Sequence, residues 1–157
     1  MNTETKKIYL SLKLAYNGEP WPGVSLMDIL QNVTEEQAFK KPLPNAHSIA
    51  ELVAHITAWR DFAWKKLSGD NDFDIALNTP EDWPLMDTGN KKSWEDLLKD
   101  LEKSQENLLE VLKKSNDEQM NSMVLDRKYS FYFLLHGIIQ HDFYHGGQIV
   151  MLKKALG

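Results

Sequence analysis

The chain has 157 residues, of which 42% are hydrophobic and 26% are charged, and its formal net charge is -5. These values are typical of one globular domain, spanning residues 1–157, that is long enough to bury a sizeable core. The absence of cysteine excludes disulfides, thiolate metal sites and a cysteine nucleophile. Lysines and acids are mixed along the chain without a basic run, so nucleic-acid binding is not expected.

Cellular location is predicted from the termini and from the apolar runs. Residues 1–14 are polar and lack the apolar core and cleavage site of a signal peptide. No uninterrupted apolar run approaches the roughly 18 residues of a membrane span. With the lack of cysteine, these features predict a cytoplasmic protein without a membrane partner.

The first third of the chain predicts short helices. Residues 6–16 alternate as a strand would, but no second candidate strand is available to pair with them, so a helix is the preferred interpretation. Ser25 is expected to cap a short helix that ends near Asn32. Another turn opens at Thr34 and ends before Pro42 and Pro44.

The second long helix has a clear start signal. Ser48 and Glu51, three residues later, form a capping-box pattern, and apolar residues follow at helical spacing as far as Leu67. His55 lies beside this apolar stripe, an unusual place for a group that prefers water. Residues 68–92 have no periodicity and are long for a connection, which predicts a crossover or a lid that Trp83 docks onto the body.

Two further long helices complete the predicted fold. One starts at Ser93 and runs to about Lys114, and residues 115–128 are polar and loop-like. The last covers residues 131–156 and is apolar on more than one face, so it is central or also forms an oligomer interface. The predicted architecture is an all-α bundle of about four helices with a long connection between the second and third long ones.

The last helix carries the strongest functional signal. His141 and His145 are four residues apart and therefore lie one turn apart on one face. Two such imidazoles can bind a single metal ion, although two ordinary polar core residues have the same spacing. His55 on a second helix would complete a site of three ligands with open positions, which is typical of catalytic metal sites.

Other residues near this face have two possible roles. Gln148 orients a ligand ring or is a satisfied core amide, and Gly137 makes room for substrate or for a helix crossing. Asp142 holds an imidazole N–H or, preferably, lies on the surface as an acid. Trp59 and Tyr144 are core or interface aromatics or line a pocket.

Two histidines are poorer candidates for a metal site. His136 lies about half a turn from His145 around the helix, so an ordinary core or interface role is favoured. His47 precedes the capping serine and covers the mouth of the site or, preferably, is a plain loop residue. Three classes of function remain open: a metal-dependent enzyme, a metal- or small-ligand-binding protein without turnover, and a helical interaction protein with structural histidines.

Two segments carry a resemblance to a known family. HSIAELVAHITAW (residues 47–59) and GIIQHDFYHGGQI (residues 137–149) resemble the two-part histidine motif of the DinB family. The Trp-x-Gly pattern at Trp21 and the helix that contains Trp94 also fit, so the resemblance covers nearly the whole chain.

The resemblance implies an up-down-down-up four-helix bundle, often dimeric, with one divalent metal ion, commonly nickel or zinc. Carried over by motif, the ligands are His55, His141 and His145. Some relatives are thiol S-transferases that use a low-molecular-weight thiol, and others are assigned as metal-dependent hydrolases. The expected function is one of these two activities in a homodimer, and the alternative is a non-catalytic metal- or ligand-binding bundle of the stress-response type.

Overall fold

The computed structural model describes residues 3–84 and 92–157, and the regular secondary structure of these residues is entirely α-helical. The prediction of an all-α fold is therefore confirmed. The helices are α1 (Thr3–Asn17), α2 (Leu26–Leu30), α3 (Glu35–Phe39), α4 (Ile49–Ser68), α5 (Trp94–Lys114), α6 (Asp117–Asn121) and α7 (Phe131–Leu156).

Helix starts follow the capping signals in the sequence. Ser25, Thr34, Ser48 and Ser93 each accept a hydrogen bond from a backbone N–H in the first turn, and each forms a complete capping box. These side chains satisfy donors that the helix leaves unpaired. Helix α4 ends at Gly69, whose left-handed backbone (φ 91°) suits glycine.

The long helices surround a core in two parts. Helix α4 packs against α5 and α7, and α1 also packs against α5 and α7. One cluster of buried side chains joins the first halves of α4 and α5 to the last turns of α7 and the end of α1. The second cluster joins the last turns of α4 and α5 to the first half of α7 and the middle of α1.

Arg60 is the point at which the four long helices meet. Its side chain is 0% exposed, and it donates to Gln105 of α5 and to Asp142 of α7. Its guanidinium also lies over the Tyr16 ring of α1, 5.2 Å from the centroid. A buried ion pair of this kind fixes the position of α4 relative to α7, because displacement would separate two desolvated charges.

The preferred position of Asp142 on the surface is wrong. Its carboxylate is 2% exposed and pairs with Arg60. Burial raises the pKa of Asp142 to about 6, and the Arg60 guanidinium acts in the opposite direction. The sequence carried a signal for the burial of Arg60, which follows Val53 and Ile56 at helical spacing on the buried face of α4, but no signal for its pairing with Asp142.

The connection after α4 is docked onto the helices over the part that is described. Ile75 and Asp82 are buried, and Trp83 is half-buried against the core, which confirms the docking role predicted for Trp83. Arg127 donates to the carbonyl oxygen of Ile75 at 3.0 Å. Residues 85–91 of the predicted 68–92 connection lie outside the described residues.

The helices within the described ranges include none that is both long enough and apolar enough to cross a membrane.

Candidate metal centre

Helix α7 places two imidazoles next to each other. His141 and His145 are one turn apart, and their Nε2 atoms are 3.0 Å from each other. His145 is 5% exposed, while His141 is partly buried and lies between the other two rings. The spacing predicted from the sequence therefore brings both side chains to one point on the inner side of the helix.

Helix α4 adds the third imidazole from the opposite side. His55 is 6% exposed, and its Nε2 atom lies 3.0 Å from Nε2 of His141. One ligand atom from each of the three histidines lies within 4.8 Å of the other two. The structure thus brings together His55, His141 and His145, which we refer to as the histidine triad.

Two of the three rings have a fixed tautomer. Nδ1 of His55 lies 2.7 Å from the backbone carbonyl oxygen of Asp82, and Nδ1 of His145 lies 2.8 Å from the amide oxygen of Gln148. Because these oxygens only accept hydrogen bonds, both Nδ1 atoms carry the proton and both Nε2 atoms present a lone pair. The role of Gln148 as a group that orients a ligand ring is the one that the structure supports.

The triad is held in its neutral form by its surroundings. Burial is the main cause that lowers the pKa of His141 to about 3, and the neighbouring His145, His55 and Arg60 contribute to this shift in the same direction. Burial also lowers the pKa values of His55 and His145. Neutral imidazoles are the form that binds metal ions, so the triad presents ligands without prior loss of protons near pH 7.

The donor set fits a divalent metal ion better than it fits a hydrogen-bonded cluster. A single N–H on His141 Nε2 can donate fully to only one of His55 and His145, so a hydrogen-bonded cluster leaves the Nε2 lone pair of the other without a donor. An ion bound at its usual Zn–N distance of about 2.0–2.1 Å separates tetrahedral nitrogen ligands by about 3.3–3.4 Å. The two pairs observed at 3.0 Å therefore need to open by only a few tenths of an ångström, and the nitrogens of the third pair, His55 and His145, lie within 4.8 Å of each other.

Asp82 supports His55 from the connection after α4. Its Oδ1 lies 3.1 Å from Nδ1 of His55 and accepts a hydrogen bond from Trp59 Nε1 at 2.8 Å. Its Oδ2 accepts from the backbone N–H of Asn78 at 2.8 Å. A carboxylate behind a ligating histidine fixes the ring and raises its basicity. Sequence reasoning missed Asp82, which lies 27 residues from His55 in a segment without periodicity.

Replacing Asp82 with asparagine tests this support. We expect Asp82→Asn to weaken zinc binding by about tenfold, the lower end of the usual range for such partners, because the backbone carbonyl still accepts from His55. Competition with a chromogenic chelator measures the affinity. Asp74→Asn is the matched control, since Asp74 lies in the same connection and pairs with Arg127. Equal affinities of Asp82→Asn and the unchanged protein would contradict a supporting role.

Trp83 covers one side of the triad. Its indole stacks on His55 at 3.8 Å between centroids and on His47 at 3.6 Å. His47 is therefore part of the mouth of the site, which is the less favoured of its two predicted roles. The role of His47 could not be predicted locally, because it depends on Trp83, which the connection after α4 places between the rings of His47 and His55.

A cavity of about 650 Å³ opens beside the triad. Its wall includes Trp59, Tyr144 and Gly137. The two aromatic side chains therefore have the second of their two predicted roles, which was to line a pocket. A Cβ built on Gly137 meets no atom within 4 Å, which supports room for a ligand rather than a helix crossing. His136 is not part of the site and instead contacts the Tyr132 ring at 4.4 Å.

Comparison with known proteins agrees with the geometry. No curated protein matches the chain. The model of the DinB superfamily matches residues 25–149, a range that contains all three members of the histidine triad and covers most of the chain. The chain therefore belongs to the DinB superfamily.

Proposed function

We propose that this protein binds one divalent metal ion, zinc or nickel, through His55, His141 and His145. The observation that carries the proposal is the meeting of three imidazoles whose ligand atoms lie within 4.8 Å of one another at the edge of the cavity, with two of the rings held by hydrogen bonds at Nδ1. Binding of a divalent metal is also what the DinB resemblance implies. Three nitrogen ligands from the protein leave at least one position open for a ligand.

We further propose that the metal site is catalytic, in a hydrolase or a thiol S-transferase. A divalent ion at the triad supplies Lewis acidity, which lowers the pKa of water or of a thiol. Asp82 and Gln148 orient the rings, and Trp83 excludes water from one side of His55. The adjoining cavity, at about 650 Å³, has the size of a small-molecule site.

A second candidate is a metal- or ligand-binding protein without turnover. Among the described residues that line the cavity, Asp82 is the one carboxylate, and both of its oxygens are already bound. A general base must lie within hydrogen-bond reach of the proton that it removes, and no free carboxylate of the described lining meets that need. This observation favours binding without catalysis.

The topology that we propose is an up-down-down-up bundle of α1, α4, α5 and α7. The composition of the two core clusters supports it: the first halves of α4 and α5 share one cluster with the last turns of α7. The single domain over residues 1–157, the homodimer, the thiol cosubstrate and the cytoplasmic location stay predictions.

An activity screen separates the two candidates. The protein is loaded with zinc or nickel and assayed for hydrolysis of uncharged esters and amides, and for loss of a low-molecular-weight thiol in the presence of electrophiles. We expect turnover that requires metal and disappears in His55→Ala. Full metal loading without turnover in any assay would contradict the enzyme and support the binding protein.

A further inference from the structure

We infer that the site prefers a ligand whose metal-binding head carries an uncharged aromatic or branched apolar group, and that a carboxylate on that apolar group weakens binding. The inference rests on the proposed metal site and names the class of molecule that reaches it. The polar head of the ligand faces the histidine triad, and its apolar group lies against the wall of the 650 Å³ cavity.

The wall of the cavity is mainly apolar. The aliphatic side chains in this wall are those of Leu77, Leu134 and Ile138. The aromatic side chains are those of Trp59, Trp83, Tyr129, Phe133 and Tyr144. Such a wall stabilises a bound ligand, because apolar area removed from water on binding contributes about 25 cal/mol per Å². Aromatic rings add offset-stacked or edge-to-face contacts with a ring in the ligand.

Large apolar side chains stay exposed at the mouth of this cavity. The exposed fraction is 73% for Leu77, 65% for Phe133 and 65% for Tyr144. Contiguous exposed apolar groups are typical of interaction sites on soluble proteins. Because these three also line the cavity, a ligand in the cavity would cover apolar surface that now faces water.

The described lining offers no ammonium or guanidinium group to an anion. Arg60, the buried cation of the helix bundle, is fully covered and paired with Asp142. A carboxylate on the apolar end of the ligand, away from the metal ion, would lose hydration without gaining a counter-charge from the cavity wall. An uncharged apolar end avoids this cost.

A neighbouring apolar cavity lies beside the cavity at the triad. It has a volume of about 540 Å³ and shares the side chains of His47, Tyr144 and Gln148 with the cavity at the triad. Its remaining wall includes Leu43, Leu52 and Met151 and contains no Asp, Glu, Lys or Arg among the described residues. A second apolar group on the ligand would fit there.

Hydroxamic acids that differ only in the group beside the metal-binding head test the inference. Zinc content is measured first by elemental analysis, and each compound is then titrated into the zinc-loaded protein in a calorimeter. We expect benzohydroxamic acid to bind at least tenfold tighter than acetohydroxamic acid. We expect 4-carboxybenzohydroxamic acid to lose that advantage.

Variants at the mouth of the cavity link the preference to named residues. Phe133→Ala should reduce the ratio between benzohydroxamic and acetohydroxamic acid, and Phe133→Lys should restore binding of the carboxy compound. Tyr132→Ala is the control, because Tyr132 is also exposed but does not line the cavity. It should leave the ratio unchanged.

The outcomes distinguish this inference from the metal site on which it rests. About one zinc per chain with equal binding of the benzo and aceto compounds, or with tighter binding of the carboxy compound, would overturn the ligand class and leave the metal site standing. Zinc content near zero after loading would overturn the metal site and the ligand class together.

Discussion

Replacing His141 with alanine should weaken zinc or nickel binding by more than about 100-fold. His141 has the central position in the triad, since its Nε2 atom lies 3.0 Å from Nε2 of both His55 and His145. Loss of a partner behind a ligand already costs about 10–100-fold in affinity, and loss of the ligand itself should cost more. Competition titration against a chromogenic chelator measures the change.

His136→Ala is the matched control for this variant. His136 lies on the same helix, five positions earlier, and contacts Tyr132 rather than the triad. The His136→Ala variant should bind metal with the affinity of the unchanged protein. If His141→Ala and His136→Ala lost affinity equally, the effect would come from α7 as a whole, and the triad would not be the site.

Replacing Arg60 with methionine should lower the free energy of unfolding by about 3–5 kcal/mol. The variant leaves the Asp142 carboxylate buried without its cation and removes the donor to Gln105. Breaking a buried pair on one side is costly because the remaining charge keeps its desolvation penalty. Urea unfolding, with a check that the slope is unchanged, measures the loss.

The double variant Arg60→Met/Asp142→Leu separates charge from packing. With both charges removed, the site resembles an apolar core, and replacements of this kind are often neutral or stabilising. We expect the double variant to regain most of the stability that the single variant loses. A double variant that is as unstable as Arg60→Met would show that the shape of the arginine, and not the pairing of charges, holds the helices together.

Most of the helices could be predicted from the sequence because their signals are local. Ser48 and Ser93 cap the helices that they were expected to cap, and the last helix has the predicted bounds, 131–156. Helix α6 was not predicted, since it is capped by Asn116 without the capping box that marks the equally short helices α2 and α3. Its tertiary role is visible only in the structure, where Asp117 accepts hydrogen bonds from backbone N–H groups at the start of α1.

The candidate site was only partly predictable. The spacing of His141 and His145 follows from helix geometry, and the apolar surroundings of His55 pointed to a buried histidine. Asp82 and Trp83 could not be found in this way, because they reach the triad from a segment whose path is set by docking rather than by local pattern. The position of Asp142 was predicted wrongly because its place in the helix gives only its direction around the axis of α7. That direction does not reveal that Arg60 lies opposite it on α4.

Anomalous diffraction from crystals soaked in zinc is the most direct test of metal binding by the histidine triad. We expect one strong peak per chain, about 2.0–2.1 Å from Nε2 of each of His55, His141 and His145. No peak at the triad at a saturating zinc concentration, or a peak coordinated by other side chains instead, would contradict the metal site and the functions proposed from it.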